Sequence, residues 1–282
     1  MTEVATSDQL LMVIDPVAVR ADGESVRIAK DVLSAGATTK MCLPQGPEEF
    51  VRALERRGSR RPVVVGDDRA LVRAVSLLHR QRELAGCGLS VVPVGGALSL
   101  ARALGVPTGA VAAARAVLEG AERRLDLLVD ESDGVVLGTL GIPSPAAWPA
   151  APETAEPGRP WLRTCQSLVR TLVHARPPRA LPAAPGPRPS RLRVEVDGVT
   201  LVDLDQPVRA VSVSAGDSGV ADVEVRPVSV GAEAAPLMAR GRTVTVSGGS
   251  FRYRADSIVS GPVRRRTWTV WEGAFGLTLP VA

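Results

Sequence analysis

Val63–Pro107 reads VVVGDDRALVRAVSLLHRQRELAGCGLSVVPVGGALSLARALGVP, and this stretch decides the fold. An apolar run, Val63–Val65, ends in Gly66-Asp67-Asp68 and passes into a helical pattern over Ala70–Leu84. A second run, Leu89–Val92, ends in Pro93-Val94-Gly95-Gly96 and feeds another helix, Leu98–Leu104. Two strand–turn–helix units in a row predict a nucleotide-binding α/β domain, because glycine at a strand end lets backbone N–H groups come close to a phosphate.

The same alternation extends to both sides. Upstream, Leu10–Ile14 and Thr39–Leu43 read as strands. Ser25–Ala35, with apolar residues at Val26, Ala29, Val32 and Leu33, reads as an amphipathic helix closed by Gly36. Pro47–Arg57 has proline at its start and Gly58 just past its end, the asymmetry of a helix. Downstream, Ala110–Glu119 is a further helix, and Glu119–Leu127 leads into strand-rich text. Strands alternating with helices imply a parallel sheet covered on both faces. From Arg191 the pattern changes to period two (RLRVEVDG, VRAVSVSAGDSG, VADVEVRPV, RTVTVSGG, SFRYRAD, RRTWTVWEGAF), which predicts an antiparallel β-sandwich.

Composition narrows the function classes. The 282 residues are 45% hydrophobic but only 3% aromatic, so the cores are built from Val, Leu and Ala. Formal net charge is +4, with Lys30 and Lys40 the sole lysines. No nucleic-acid recognition motif appears, so the excess of arginine reads as coding bias and no nucleic-acid partner is expected. Cys42, Cys87 and Cys165 form no C-x-x-C pair, which excludes a zinc ribbon and argues against a disulfide framework. The polar, acidic start MTEVATSDQ predicts no signal peptide, and the expected location is cytoplasmic. Leu84–Ala101 is uncharged over 18 residues, yet its Gly86, Gly88, Pro93, Gly95 and Gly96 suit a buried strand and turn better than a membrane span. Pro143–Ser190 holds 12 of the 23 prolines and reads as a linker around one short helix, Trp161–Ala175. Its Arg159, Arg163, Arg170, Arg176, Arg179 and Arg188 face only Glu153 and Glu156. Such a segment is either a solvated linker or a peripheral contact with anionic lipid at the inner membrane face.

The order and spacing of these motifs resemble the catalytic domain of diacylglycerol- and sphingosine-kinase-type lipid kinases. There the first turn reads GGDGT and the second PxGTGNDFAR; here they read Gly66–Ala70 (GDDRA) and Pro93–Arg102 (PVGGALSLAR). The passage around Glu119–Leu127 matches that family's xxGxxRxxDL exit from the nucleotide domain. The resemblance runs from Leu10 to Leu277–Val281. It implies a Rossmann-like, NAD-kinase/diacylglycerol-kinase-like domain over 1–126, with a β-rich section beginning at 127–142. The linker at 143–190 and a β-sandwich at 191–282 complete the expected plan.

The resemblance also assigns roles. It implies ATP and Mg2+ as cofactors and a lipid hydroxyl as acceptor. Gly66, Asp67, Asp68, Arg69, Gly95 and Gly96 stand at the nucleotide turns, and Asp68 with Asp217, in Asp217–Val223 (DSGVADV), at the metal positions. Asp256 matches the Asp of the family's late DGE motif, but the Glu that serves there as general base is Ile258 here, which cannot take a proton. Asp67 and Arg69 stand where the family has glycines, and Gly96, Ala97, Leu98 and Ser99 replace Thr, Gly, Asn and Asp. The family's NPxSG becomes Asp15–Val19 (DPVAV), with Asp for Asn. Asp68, Asp217 and Asp256 each have an ordinary alternative as caps of strand-end turns. Glu233 and Glu272 are candidates to replace the lost base, although neither lies in the expected turn. His79 and His174 neighbour no nucleophile, and no P-loop or metal-spaced His/Asp cluster appears. Two expectations follow: a degenerate homologue that binds a nucleotide, lipid or protein partner, and an active ATP-dependent lipid kinase with Asp68 and Asp217 on Mg2+. A NAD-kinase-like protein shares the GGDG turn, but its Asn-Glu pair has no counterpart here. An exposed β-edge pairing two copies is a further expectation.

Overall fold

The structure, a computed structural model, describes residues 9–143, 189–216, 218–228 and 235–281. The expected linker helix, Cys165, His174, Asp217 and Glu233 lie outside the described residues.

The first half is the alternating α/β unit. Strands β1 (Gln9–Ile14), β2 (Thr38–Cys42), β3 (Arg61–Gly66) and β4 (Gly88–Pro93) pair in parallel in the spatial order β2-β1-β3-β4. Period two sorts their side chains. Leu10, Met12, Ile14, Val63 and Val65 face α2 (Gly23–Gly36) and α6 (Ala110–Glu119), whereas Leu11, Val13 and Val64 face α3 (Pro47–Glu55) and α4 (Asp68–Arg80). Strand order reverses between β1 and β3. In open α/β sheets the crevice beyond the carboxyl ends of the strands at such a point is where ligands bind. The short helices α1 (Pro16–Ala21) and α5 (Ser99–Ala103) start at that edge, and α4 descends from it.

Leu84–Ala101 resolves into a 3-10 turn (Leu84–Gly86), β4 and the start of α5, so its apolar run is sheet core. Among the described residues no helix is long and apolar enough to cross a membrane.

The second half is antiparallel: β5 (Ala121–Asp130), β6 (Val135–Val136), β7 (Thr139–Ile142), β8 (Ser190–Val196), β9 (Val199–Val202), β10 (Pro207–Ala215), β11 (Ala221–Pro227), β12 (Leu237–Gly241), β13 (Thr243–Ala255) and β14 (Ile258–Leu279). β7 and β8 each pair with both β10 and β13, so the hydrogen-bonded surface closes around one core that includes Trp268 and Phe251. The expected stacked sheets are thus joined into one folded surface. Its bend comes from bulges in β13 between Ser247 and Tyr253. Gly248 permits the close approach there, because a Cβ would lie 2.6 Å from the carbonyl oxygen of Arg191. The end of β14 returns to the first half and pairs in parallel with β4 (Gly276↔Gly88, Leu277↔Leu89), so all strands belong to one sheet.

Candidate functional site

Among the helices that begin at the carboxyl edge of the parallel sheet, α1, α4 and α5 each have an N-terminus capped by an aspartate, whereas α3 starts at Gly46 with no side-chain cap. A helix N-terminus has unpaired N–H groups and a partial positive charge, which makes it the natural seat of a phosphate. On α1, the Asp15 carboxylate accepts from Val17 N (2.7 Å). On α4, Asp67 Oδ1 accepts from Arg69 N (3.0 Å) and Ala70 N (3.2 Å). On α5, the cap comes from across the cleft. Asp68 Oδ2 accepts from Leu100 N (2.9 Å) and Ser99 Oγ (3.1 Å), and Oδ1 accepts from Ala101 N (3.1 Å).

The two glycine turns are locked to one another. Val94 N donates to Gly66 O (2.9 Å), and Asp68 N donates to Ala97 O (2.9 Å). A Cβ on Gly66 would lie 2.6 Å from that of Ala70. Gly95 has φ +131°, and a Cβ there would meet Asp67 Cβ at 3.2 Å. Gly96 faces open space, and Arg69 is exposed.

Asp15 and Asp68 are both buried, at 3% exposure, and both have partners. Asp15 Oδ2 accepts from Arg73 Nη1 at 2.9 Å, and that guanidinium lies 5.4 Å from the centre of the Phe50 ring. The ion pair therefore sits between the ends of β1 and β3, at the switch point itself.

The β13–β14 hairpin brings the third carboxylate. Asp256 occupies a left-handed turn position (φ +49°) and accepts from Leu137 N (2.8 Å), Gly138 N (2.8 Å) and Thr139 N (3.2 Å). Burial pushes its carboxyl up from the usual value. The three N–H groups oppose this, and the nearby Asp68 charge adds to the rise. A Cβ on Gly138 would touch both Leu100 Cδ1 and Asp256 Oδ1, so Asp68, α5 and Asp256 form one cluster. Ile258, at the position of the lost base, is 49% exposed.

Other candidates lie elsewhere. Residues flanking Asp217 are tied to Asp126, whose carboxylate accepts from Gly219 N and Gly273 N, both at 2.7 Å. Glu272 is beside them, with Arg242 Nη2 at 3.4 Å. Glu272 and Gly273 also line a cavity of about 550 Å³ with His79, Trp271 and Leu84. His79 and Asp68 stand at opposite ends of α4, about 16 Å apart at 1.5 Å per residue. Glu272 is therefore at the wrong edge to replace the base, and Gly219 is tied through Asp126 to Gly273 at that same edge. Among the described residues no three His, Cys, Asp or Glu side chains gather to hold a metal ion. Asp68 itself spends three of about four lone-pair directions on α5. The described residues thus do not fit a Mg2+–triphosphate.

His79 is buried, edge-on to Trp271 at 5.1 Å, and Cys87 is a free thiol whose burial pushes its pKa up. Sequence reading passes over the Asp15–Arg73 pair and the docking of Asp256 on Leu137–Thr139. The one sequence signal for the former is the Asp at the first position of DPVAV.

No family model matches this sequence, and no curated protein does. Solved structures do. A protein from Bacillus anthracis str. Sterne, provisionally named a diacylglycerol kinase, superposes with TM-score 0.69 at 15% identity, covering 99% of this chain and 98% of its own. The chain has the diacylglycerol-kinase fold. A second structure under that provisional name gives TM-score 0.68 at 14% identity over 97% of this chain and 98% of that one. A third, named a diacylglycerol kinase from the same organism, gives 0.66 at 13% over 97% of both. Of the three capping aspartates, Asp15 and Asp67 stand where the lipid-kinase turns quoted above carry other residues, whereas Asp68, which caps α5, stands at the Asp of GGDGT.

Proposed function

We propose that this chain is a catalytically degenerate lipid-kinase homologue, in which the nucleotide edge of a diacylglycerol-kinase-like fold has become internal architecture and the cleft serves binding of a lipid or protein partner. The observation that supports this reading is the aspartate cap on the N-termini of α1, α4 and α5, the helices that carry the three quoted turns. A polyphosphate needs those N–H groups and that positive potential. Each is already matched by a carboxylate, which would also repel it. Ile258 in place of a proton acceptor removes a positioned base, whose contribution is typically about 10²–10⁴-fold.

One observation favours the alternative, an active ATP-dependent lipid kinase. The Asp256 carboxyl has its pKa raised beside Asp68, as a proton-accepting group at a reaction centre would. Transfer of labelled γ-phosphate from ATP·Mg2+ to diacylglycerol in mixed micelles separates the readings. The expected result is no phosphatidic acid above the protein-free blank. Turnover that disappears in Asp256→Ala would overturn degeneracy.

A further inference from the structure

The cavity at the far end of α4 plays no part in the cleft, and its walls have the make-up of a ligand site. It lies where β14 returns to the α/β half, and its volume of about 550 Å³ falls within the usual small-molecule range of about 300–1,000 Å³. A bulge in β14 between Trp271 and Phe275 shapes one wall. Gly273 N holds that bulge in place by donating to the Asp126 carboxylate at 2.7 Å. Trp271 is left 41% exposed, whereas Trp268 is fully buried, and its indole stands edge-on to the buried His79 ring. Leu84 and Ala274 add apolar surface.

The charges around the cavity are unevenly matched. Arg124 is held by Ala85 O (2.8 Å) and Glu122 Oε1 (3.3 Å), and Glu272 stands 3.4 Å from Arg242. Asp133, 3.6 Å from His79 Nε2, is outside the lining. Arg82 lines the cavity, is exposed, and has no ion-pair partner among the described residues. Its backbone is unusual as well. Arg82 N donates to His79 O and Glu83 N to Leu78 O, both at 2.9 Å, the pair of bonds that closes a helix in a Schellman motif. Arg82 thus holds the left-handed position after the helix, at φ +61°, where glycine is the ordinary residue. The helix dipole does not account for a cation there, since Arg80 already stands in the last turn.

We propose that this cavity binds an aromatic monocarboxylate, with its ring against Trp271 and its carboxylate on the Arg82 guanidinium. A guanidinium presents paired N–H donors that match a carboxylate, and a half-exposed indole offers a flat apolar face to an aryl ring. One unmatched cation selects one negative charge. A polyphosphate would bring further charge beside Glu272 with nothing left to neutralise it. The site is separate from the cleft and stands whether or not the cleft binds a nucleotide.

The test is calorimetric titration of the full chain with indoleacetate and with naphthoate, with quenching of tryptophan fluorescence as a second readout. Both carboxylates should bind. Indoleacetamide keeps the ring and loses the charge, so it should bind about ten- to a hundredfold more weakly, the range for a hydrogen bond to a charged group. Naphthyl phosphate should bind no more tightly than naphthoate. Arg82→Gly is the decisive variant. Glycine suits φ +61°, so the melting temperature should stay nearly unchanged while affinity for indoleacetate falls by the same factor as with the amide. Trp271→Leu keeps an apolar side chain and should both weaken binding and remove the quenching. Absence of binding by either carboxylate at millimolar concentration, unchanged affinity in folded Arg82→Gly, an amide as tight as the acid, or a tighter phosphate would each overturn the proposal.

Discussion

Replacing Asp68 with alanine separates a structural carboxylate from a ligand-binding one. The change removes three hydrogen bonds at once, to Ser99 Oγ, Leu100 N and Ala101 N. Leu100 and Ala101 are 7% and 2% exposed, so water cannot readily replace the lost acceptor for their N–H groups. A buried donor left unpaired costs about 1–3 kcal/mol, and loss of a helix cap about 0.5–2 kcal/mol. These overlap, because the cap is those same bonds, so Asp68→Ala should cost about 3 kcal/mol. Asp68→Asn keeps one acceptor and should cost about half as much. The assay is equilibrium urea unfolding at constant m, followed by fluorescence of the buried Trp268, with amide exchange of Leu100 and Ala101 as the local reporter. Protection of those two amides should collapse in the alanine variant. A change within about 0.5 kcal/mol, or a gain in stability, would refute the reasoning, since exposed positions away from structural contacts behave in that way.

Gly66→Ala forces a Cβ to 2.6 Å from that of Ala70, so it should destabilise by about 1–3 kcal/mol and lower the thermal midpoint in calorimetry. Asp67→Gly should cost only a few tenths of a kcal/mol in the same experiment, because glycine is tolerated at an N-cap. For Asp130, burial alone would raise the carboxyl. Hydrogen bonds from Ser132 and Gly134 and the charge of Arg266 outweigh it and hold the pKa below the usual value. The unfolded chain therefore takes up the proton first. The stabilisation is present above the ordinary aspartate range and is lost as pH falls through the lowered value. Acid titration of stability should accordingly be shallower in Asp130→Asn than in the parent below about pH 4.

The fold was largely legible because its signals are local. Apolar runs ending in glycine gave β3 and β4, and the spacing of Val26, Ala29 and Leu33 gave α2. The errors have physical causes. Ala70–Leu84 is shifted in the structure to Asp68–Arg80, because the Asp67 cap starts the helix earlier and Arg82, at φ +61°, ends it. RTVTVSGG and SFRYRAD read as two strands, yet Gly248 and Gly249 bulge a single strand instead of turning it. The return of β14 to β4 joins residues nearly 190 apart, which no periodicity records. The site was legible as a set of residue types but not as a set of contacts. Asp68 looks like a ligand in GDDRA, while its partners lie 31 to 33 residues away. Asp15 finds Arg73 at a separation of 58, and Asp256 finds Leu137 at 119. A sequence shows that a carboxylate is present. Only the fold shows that its lone pairs are already taken.

The central claim is that aspartate caps have replaced the phosphate seat at the sheet edge. Its most direct test is calorimetric titration of ATP with Mg2+ into the parent chain and into Asp67→Gly/Arg69→Gly, which frees the α4 N-terminus. The account predicts no binding heat for the parent at millimolar ATP and measurable binding in the double variant. Mg2+-dependent binding of ATP by the parent, lost on Asp68→Ala in protein that remains folded, would contradict it.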